Sequence, residues 1–348
     1  MDFYKELISF DSSTDAGKDG IADYTAGLFK EFGASFIEVK KRRYVWASFN
    51  KESADKGGLL LSGHLDVVPH ADPEAFNLEL KDGVYYGRGT CDMKGFCAAA
   101  LCMAARIKNK CLSSPVHFCF TLDEETGMEG IREAEPLIRG RAPEWGIVGE
   151  PTMMEIVVSN LGSLEGIIRV KGKAAHSSEP ENGISAVNIL LDIMNFINTL
   201  PGIVNIGVIS GGTAHNILAA DAMCEYQIRL AKDDDKVIAA IDDFIKKQPK
   251  GVITHNYCSH PPFRDEIGLS RQKMLAFLNK KDDDVRHVKY ATEAGLLQKY
   301  GVTPVICGPG SIVHAHKVDE HCDASQLEYC QKVLNAIADE IMIRKGIK

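Results

Sequence analysis

The sequence predicts an α/β protein, a central mixed sheet flanked by helices, into which a smaller α+β unit is inserted. Two observations carry this reading. Four short apolar runs, at 59–61, 116–122, 145–148 and 303–307, each lead directly or through a short loop to a residue of metal-ligand type, as strands of an open sheet do when they deliver side chains to the crevice at their carboxyl ends. Between them, residues 159–257 read strand, helix, strand, strand, helix, strand, a self-sufficient pattern. The predicted domains are therefore 1–158 with 258–348, and the insert 159–257.

Residues 3–10 predict a short helix ended by Asp11-Ser12-Ser13. A second helix carries Ile21, Tyr24, Leu28 and Phe32 at three- and four-residue steps, with Gly33 as its stop. Residues 35–50, β-branched and aromatic around a charged middle, predict a hairpin. The Leu59 run then presents His64 and, one residue on, Asp66. A turn at 87–91 carries Asp92 into an Ala-, Leu- and Met-rich helix at 96–107. Run 116–122 enters Asp123-Glu124-Glu125-Thr126-Gly127, run 145–148 enters Gly149-Glu150-Pro151, and run 303–307 enters Gly308-Pro309-Gly310-Ser311, followed by His314 and His316. In the insert, strands at 164–170, 203–209, 223–230 and 252–257 alternate with two amphipathic helices. Their stripes are Val187, Leu190, Leu191, Met194 and Ile197, then Val237, Ile238, Ile241, Phe244 and Ile245. A last helix, with Leu327, Cys330, Leu334, Ile337 and Ile341 on one face, is expected to pack on the first domain.

Composition narrows the function classes. A net charge of -8 and a pI near 5.8 argue against a nucleic-acid binder, and the longest basic run, Lys40-Lys41-Arg42-Arg43, reads as a solvated turn. The ten cysteines form no C-x-x-C pair, and Cys97, Cys102 and Cys119 sit in apolar runs. Packed thiols in a reducing cytoplasm are expected. The first residues lack a basic region followed by an apolar core, and no apolar run approaches the roughly 18 residues of a membrane span. The expectation is an unexported protein with no membrane partner.

Seven side chains remain as candidates for one site: His64, Asp66, Asp92, Glu124, Glu125, Glu150 and His316. Imidazole with carboxylate is a donor set for Zn²⁺, Co²⁺ or Mn²⁺. Two ions about 3.5–4 Å apart, sharing one bridging carboxylate, would use five of the seven. Of the two acids left, Asp66 can reach back to fix the tautomer of His64. One member of the Glu124-Glu125 pair can serve as general base while its neighbour binds metal.

The motifs SGHLDVVP, YGRGTCDMKGF, TLDEETG, VGEPT and GPGSIVHAH resemble, in order and over nearly the whole chain, the di-metal aminoacylase and carboxypeptidase family, M20. GRGTCDMKGF, Tyr290-Ala291-Thr292-Glu293-Ala294 and GPGSIVHAHKVDEH are most similar to its acetylornithine deacetylase members. The resemblance implies a zinc-exopeptidase-like catalytic domain with a ferredoxin-like lid, two divalent ions (Zn or Co, with Mn possible), and a homodimer formed through the lid. It implies that His64 and Glu150 hold one ion, Glu125 and His316 the other, that Asp92 bridges, Asp66 orients His64 and Glu124 is the base. It further implies that His176, in Gly172-Lys173-Ala174-Ala175-His176, stabilises the oxyanion at the partner subunit's site, and that Asn216 and Arg229 bind the substrate's carboxylate region. Glu293, as reader of a cationic side chain, and Gly310 complete the candidate substrate contacts. The implied reaction is hydrolysis of an N-acyl amino acid, N-acetyl-L-ornithine to L-ornithine and acetate in arginine biosynthesis. The alternatives are acetylcitrulline or succinyl-diaminopimelate as substrate, a dipeptidase, or, remotely, a non-catalytic ligand-binding relative. The segment 71–82 lacks the tryptophan often found there in the family, which bears on acyl specificity.

Overall fold

In the computed structural model, which describes residues 2–50, 56–232, 234–248 and 251–343, the strand Leu59–His64 is buried at every position. It pairs in parallel with Val116–Thr121 on one side and Trp145–Pro151 on the other. A strand covered on both faces shows no apolar–polar alternation, which is why this one reads as a plain apolar run. Thr303–Gly308 continues the parallel set beyond Trp145–Pro151, and the antiparallel hairpin Phe36–Lys40 and Tyr44–Phe49 extends the sheet past Val116–Thr121. The sheet is mixed, with helices flanking it. The hairpin places Arg42 and Arg43 at its turn, where Arg42 pairs with Asp15 at 2.6 Å and Arg43 with the buried Asp123 at 2.7 Å.

The helix Asp15–Glu31 begins where the Thr14 hydroxyl accepts from Gly17 N–H at 3.1 Å, and it ends before Gly33, whose φ of 79° a side chain would resist. Its buried stripe runs through Ile21, Thr25 and Phe29. Tyr24 and Leu28 stand at its half-buried margins. Lys94–Arg106 is almost wholly buried and starts directly after the Asp92 turn. Ala324–Ile341 buries Leu327, Cys330, Val333, Leu334, Ile337 and Ile341 in the same core. Elements not foreseen from sequence are the helices Glu129–Glu133, Glu135–Arg141, Leu269–Leu278 and Ala294–Lys299, and a small sheet of Glu79–Lys81, Val84–Tyr86 and His321–Asp323. None of these four helices has a side-chain N-cap bond, so the usual start signal is missing.

Chain contacts separate a first unit, 1–159 with 264–287 and 292–348, from a second, 160–263 with 288–291. The second unit runs strand Gly162–Lys171, helix Ala186–Ile197, strands Ile203–Gly211 and Asp221–Leu230, helix Asp235–Lys246 and strand Val252–His260. Its sheet is antiparallel, with the first strand between the third and fourth and the second at the edge, a split βαββαβ arrangement. Both helices pack on one face, around Leu190, Ile193, Ile197, Ile228 and Ile241. Two details differ from the sequence reading. Ile193, and not Leu191, belongs to the first helix stripe, since Leu191 is 49% exposed. The last strand runs past Tyr257, because its ladder with Gly162–Lys171 continues to the His260–Ser163 pair, so the insert's boundary lies later than 257.

Cys97 and Cys119 are buried and Cys102 is half-buried. Among the described residues no helix is long and apolar enough to cross a membrane.

Candidate metal centre

Three adjacent parallel strands end side by side, and each hands a ligand-type side chain to the same end of the sheet. His64 is the last residue of its strand and lies in register with Thr121. Glu124 and Glu125 follow Thr121 on a single 3₁₀ turn, and Glu150 closes the third strand. Asp92 arrives from the turn before Lys94, its peptide bond to Met93 being cis. His316 comes from the loop beyond Thr303–Gly308.

His64, Glu125 and His316 meet around Asp92. Oδ1 of Asp92 is 3.0 Å from His64 Nε2, and Oδ2 is 3.3 Å from His316 Nε2. The same His316 nitrogen lies 3.0 Å from Glu125 Oε1. Donor atoms of His64, Asp92 and Glu125 all fall within 4.8 Å of one another. His316 holds φ at 61°, in the left-handed region that costs a non-glycine residue on the order of 1 kcal/mol or more. His314 instead stacks on His321 with ring centroids 4.0 Å apart, so of the two neighbouring histidines only His316 reaches the carboxylates.

Asp66 acts differently from expectation. The group fixing His64 is the Asp66 main-chain carbonyl, which accepts from Nδ1–H at 2.9 Å, whereas the Asp66 carboxylate is 3.7 Å from that nitrogen. A carbonyl can only accept, so Nδ1 carries the proton and Nε2 is left for a ligand. The carboxylate accepts Glu124 N–H and Glu125 N–H, each at 3.2 Å. Asp123, missed from sequence, anchors the same turn by accepting Gly130 N–H at 2.8 Å and Arg43 Nη1–H at 2.7 Å.

The charges are crowded. Burial pushes Glu150 up to about 8, with Asp92 adding to the rise against the pull of His64. Burial and the Glu150 charge likewise hold Glu124 well above the usual carboxylate range. Burial works against the His64 charge, but Asp92 and Glu150 outweigh it and its pKa rises. Asp92 and Glu125 bring His316 up to about 10. For Asp92 burial is opposed by both imidazoles, which prevail and lower it. Two imidazoles and three carboxylates with this much mutual repulsion form a donor set suited to divalent cations. His64, Asp92, Glu125, Glu150 and His316 are the residues that could hold them.

The substrate candidates fall in different places. Gly310, with φ 82°, sits beside the Asp92 turn, since a Cβ there would come within 2.8 Å of Cys91 Sγ. Glu293 is 1% exposed and faces the sheet below His64, with Ser62 Oγ–H donating to its Oε2 at 3.1 Å. Thr121 lies against the same carboxylate, and its hydroxyl works with that of Ser62 against the rise that burial imposes. Glu293 is therefore neither a solvent-facing cation reader nor a cap for its own helix, although burial does push it up to about 7. His176, Asn216 and Arg229 belong to the second unit. There Ser177 N–H donates to the Asn216 carbonyl at 3.0 Å and His176 bridges to Ile217, so His176 and Asn216 share one exposed loop pair. Arg229 is half-buried on the sheet, opposite Ser163 and Ile203.

Residues 60–340 match the model of peptidase family M20/M25/M40. The chain is 29% identical to an acetylornithine deacetylase of Proteus mirabilis, over 100% of this chain and 98% of that one. It is 31% identical to that of Aliivibrio fischeri, over 97% of each. Among solved structures it resembles the aminopeptidase PepT of Bacillus cereus, with a TM-score of 0.76 at 19% identity over 97% of this chain and 96% of that one. An M20 metallo-carboxypeptidase of Sulfolobus solfataricus gives the same TM-score, 0.76, at 17% identity over 96% and 97%. These likenesses agree with the mixed sheet and flanking helices described above. The chain belongs to peptidase family M20/M25/M40 and is an amide-bond hydrolase.

Proposed function

We propose that this protein is a two-metal deacylase of N-acyl amino acids, with N-acetyl-L-ornithine as substrate and L-ornithine and acetate as products. The observation that supports it most is the position of Asp92, one oxygen facing each of two imidazoles, as a bridging carboxylate requires. In this reading His64 and Glu150 hold one ion, Glu125 and His316 the other. When bound, such ions supply Lewis acidity toward the acyl carbonyl and toward the attacking water.

The chain's own residues then divide the work. Glu124, whose burial and the nearby Glu150 charge hold its proton affinity high, takes the proton of the attacking water and passes it to the departing amine. The Asp66 carboxylate fixes the backbone of the Glu124-Glu125 turn, so base and ligand keep their spacing. Gly310 packs against Cys91, where a side chain would clash, and so keeps the loop that leads to His316 close to the Asp92 turn. Family resemblance assigns His176 to the developing oxyanion, Asn216 and Arg229 to the substrate carboxylate, the second unit to homodimer formation, and the enzyme to the cytoplasm.

Substrate identity is the part with a competing reading. With Glu293 turned into the sheet, the rim next to Gly310 offers exposed Met153, Ile312 and Val313, which favours a neutral N-acyl amino acid or a dipeptide. A panel of N-acetyl-ornithine, N-acetyl-citrulline, N-acetyl-methionine, N-succinyl-diaminopimelate and a dipeptide, with Zn²⁺ or Co²⁺ restored after chelation, separates the two. A preference for acetyl-ornithine of about a hundredfold, roughly 2.7 kcal/mol, supports the ornithine assignment. Even activity over neutral acetyl-amino acids retires it and keeps the chemistry.

A further inference from the structure

We propose that Glu320 is a positioning residue for the metal centre, fastening the Asp92 turn to the His316 segment. The inference rests on the two-metal reading above. Glu320 is 2% exposed, and its carboxylate is spent on the backbone that carries Asp92 and on Arg88. Oε1 accepts Cys91 N–H and Asp92 N–H, both at 3.0 Å. Oε2 accepts Arg88 Nη1–H at 2.6 Å, and Arg88 is itself 4% exposed. The main chain adds a fourth link, Gly87 N–H to the Glu320 carbonyl at 3.1 Å. One residue thus grips the turn at Gly87, Arg88, Cys91 and Asp92. The chain after it pairs in the same place, His321 opposite Tyr86.

Glu320 also lies only four residues beyond His316. The imidazole that reaches Asp92 Oδ2 and the carboxylate that holds Asp92 N–H therefore come from one short segment. A buried ion pair is a poor way to gain stability, because desolvation offsets most of the attraction. It is a good way to fix direction, since two N–H donors and a guanidinium converge on one rigid carboxylate. Asp92 needs such fixing: its two oxygens face different imidazoles, and a small rotation of its backbone would misdirect both.

Calorimetric titration of Co²⁺ into the chelated full-length chain, with visible absorbance of the Co²⁺ form recorded alongside, tests this. Glu320→Ala removes the acceptor and is expected to weaken Co²⁺ binding about 10–100-fold and change the absorption band, in a protein whose circular dichroism is that of the wild type. If that variant does not fold, Glu320→Asp, one methylene short of the turn, replaces it with the same expectation. The double variant Arg88→Met with Glu320→Gln keeps an oxygen for the two N–H groups without leaving an unpaired cation, and is expected to stay within about threefold of wild type. Wild-type affinity and spectrum in folded Glu320→Ala, or a double variant as weak as Glu320→Ala, would overturn the proposal. A wild-type chain that takes up no Co²⁺ would instead sink the two-metal reading itself.

Discussion

His64 Nδ1–H donates to the main-chain carbonyl of Asp66 at 2.9 Å, while the Asp66 carboxylate, 3.7 Å from the same nitrogen, accepts from the Glu124-Glu125 turn. Asp66 therefore serves the imidazole through its backbone and the Glu124-Glu125 turn through its side chain. Asp66→Asn should keep the His64 contact and disturb only the turn. Hydrolysis is expected to fall about 10–100-fold with metal content unchanged, measured as kcat beside atomic-emission analysis. Metal loss in proportion to activity would contradict this division.

Glu124→Gln separates the proposed base from the proposed ligands. The amide keeps the shape of the side chain but cannot take up a proton, so kcat should drop by about 10²–10⁴. Metal stoichiometry should match the wild type. A drop in KM alone, or retained kcat, would assign the proton transfer elsewhere.

Glu293 carries a pH prediction. Its carboxyl titrates near 7 in the folded chain against an ordinary value of 4.5, because burial disfavours its charge. Between those values the folded state holds more protons than the unfolded state, so this group's contribution is fully present below about pH 4.5 and declines as pH rises through 7. Glu293→Gln should remove that decline. Urea denaturation of chelated protein should find the variant more stable at pH 8, by on the order of 3 kcal/mol, and little changed at pH 4.5. Equal effects at both values would show that the charge is not the cause.

Gly149 precedes the ligand Glu150, and a Cβ there would lie 1.9 Å from the Phe96 ring. The ring is buried and cannot step aside. Gly149→Ala should therefore destabilise by about 1–3 kcal/mol or more and weaken metal binding by tilting the Glu150 strand end. Gly149→Ala combined with Phe96→Leu should recover part of the loss in a thermal melt.

Much of this arrangement is legible in the sequence, for identifiable reasons. Strands buried on both faces leave apolar runs, and Leu59–His64, Val116–Thr121 and Trp145–Pro151 each bring a ligand-type side chain at or just beyond their carboxyl ends. Those runs, with the turn before Asp92 and the loop after Thr303–Gly308, brought His64, Asp66, Asp92, Glu124, Glu125, Glu150 and His316 together as candidates. What the sequence hides is direction. Nothing in Thr292-Glu293-Ala294 shows that the carboxylate turns beneath the sheet toward Ser62, and nothing in the His64-Leu65-Asp66 spacing separates a carbonyl contact from a carboxylate one. Arg43, Arg88 and Glu320 act across 80 and 232 residues of chain, distances over which no local pattern can be read.

With one oxygen toward each of two imidazoles, Asp92 would bridge two ions. Equilibrium dialysis of the chelated wild type, His64→Ala and His316→Ala against Zn²⁺ tests it most directly. Two equivalents for the wild type and one for each variant are predicted. A single equivalent in the wild type, or loss of all binding in both variants, would contradict it.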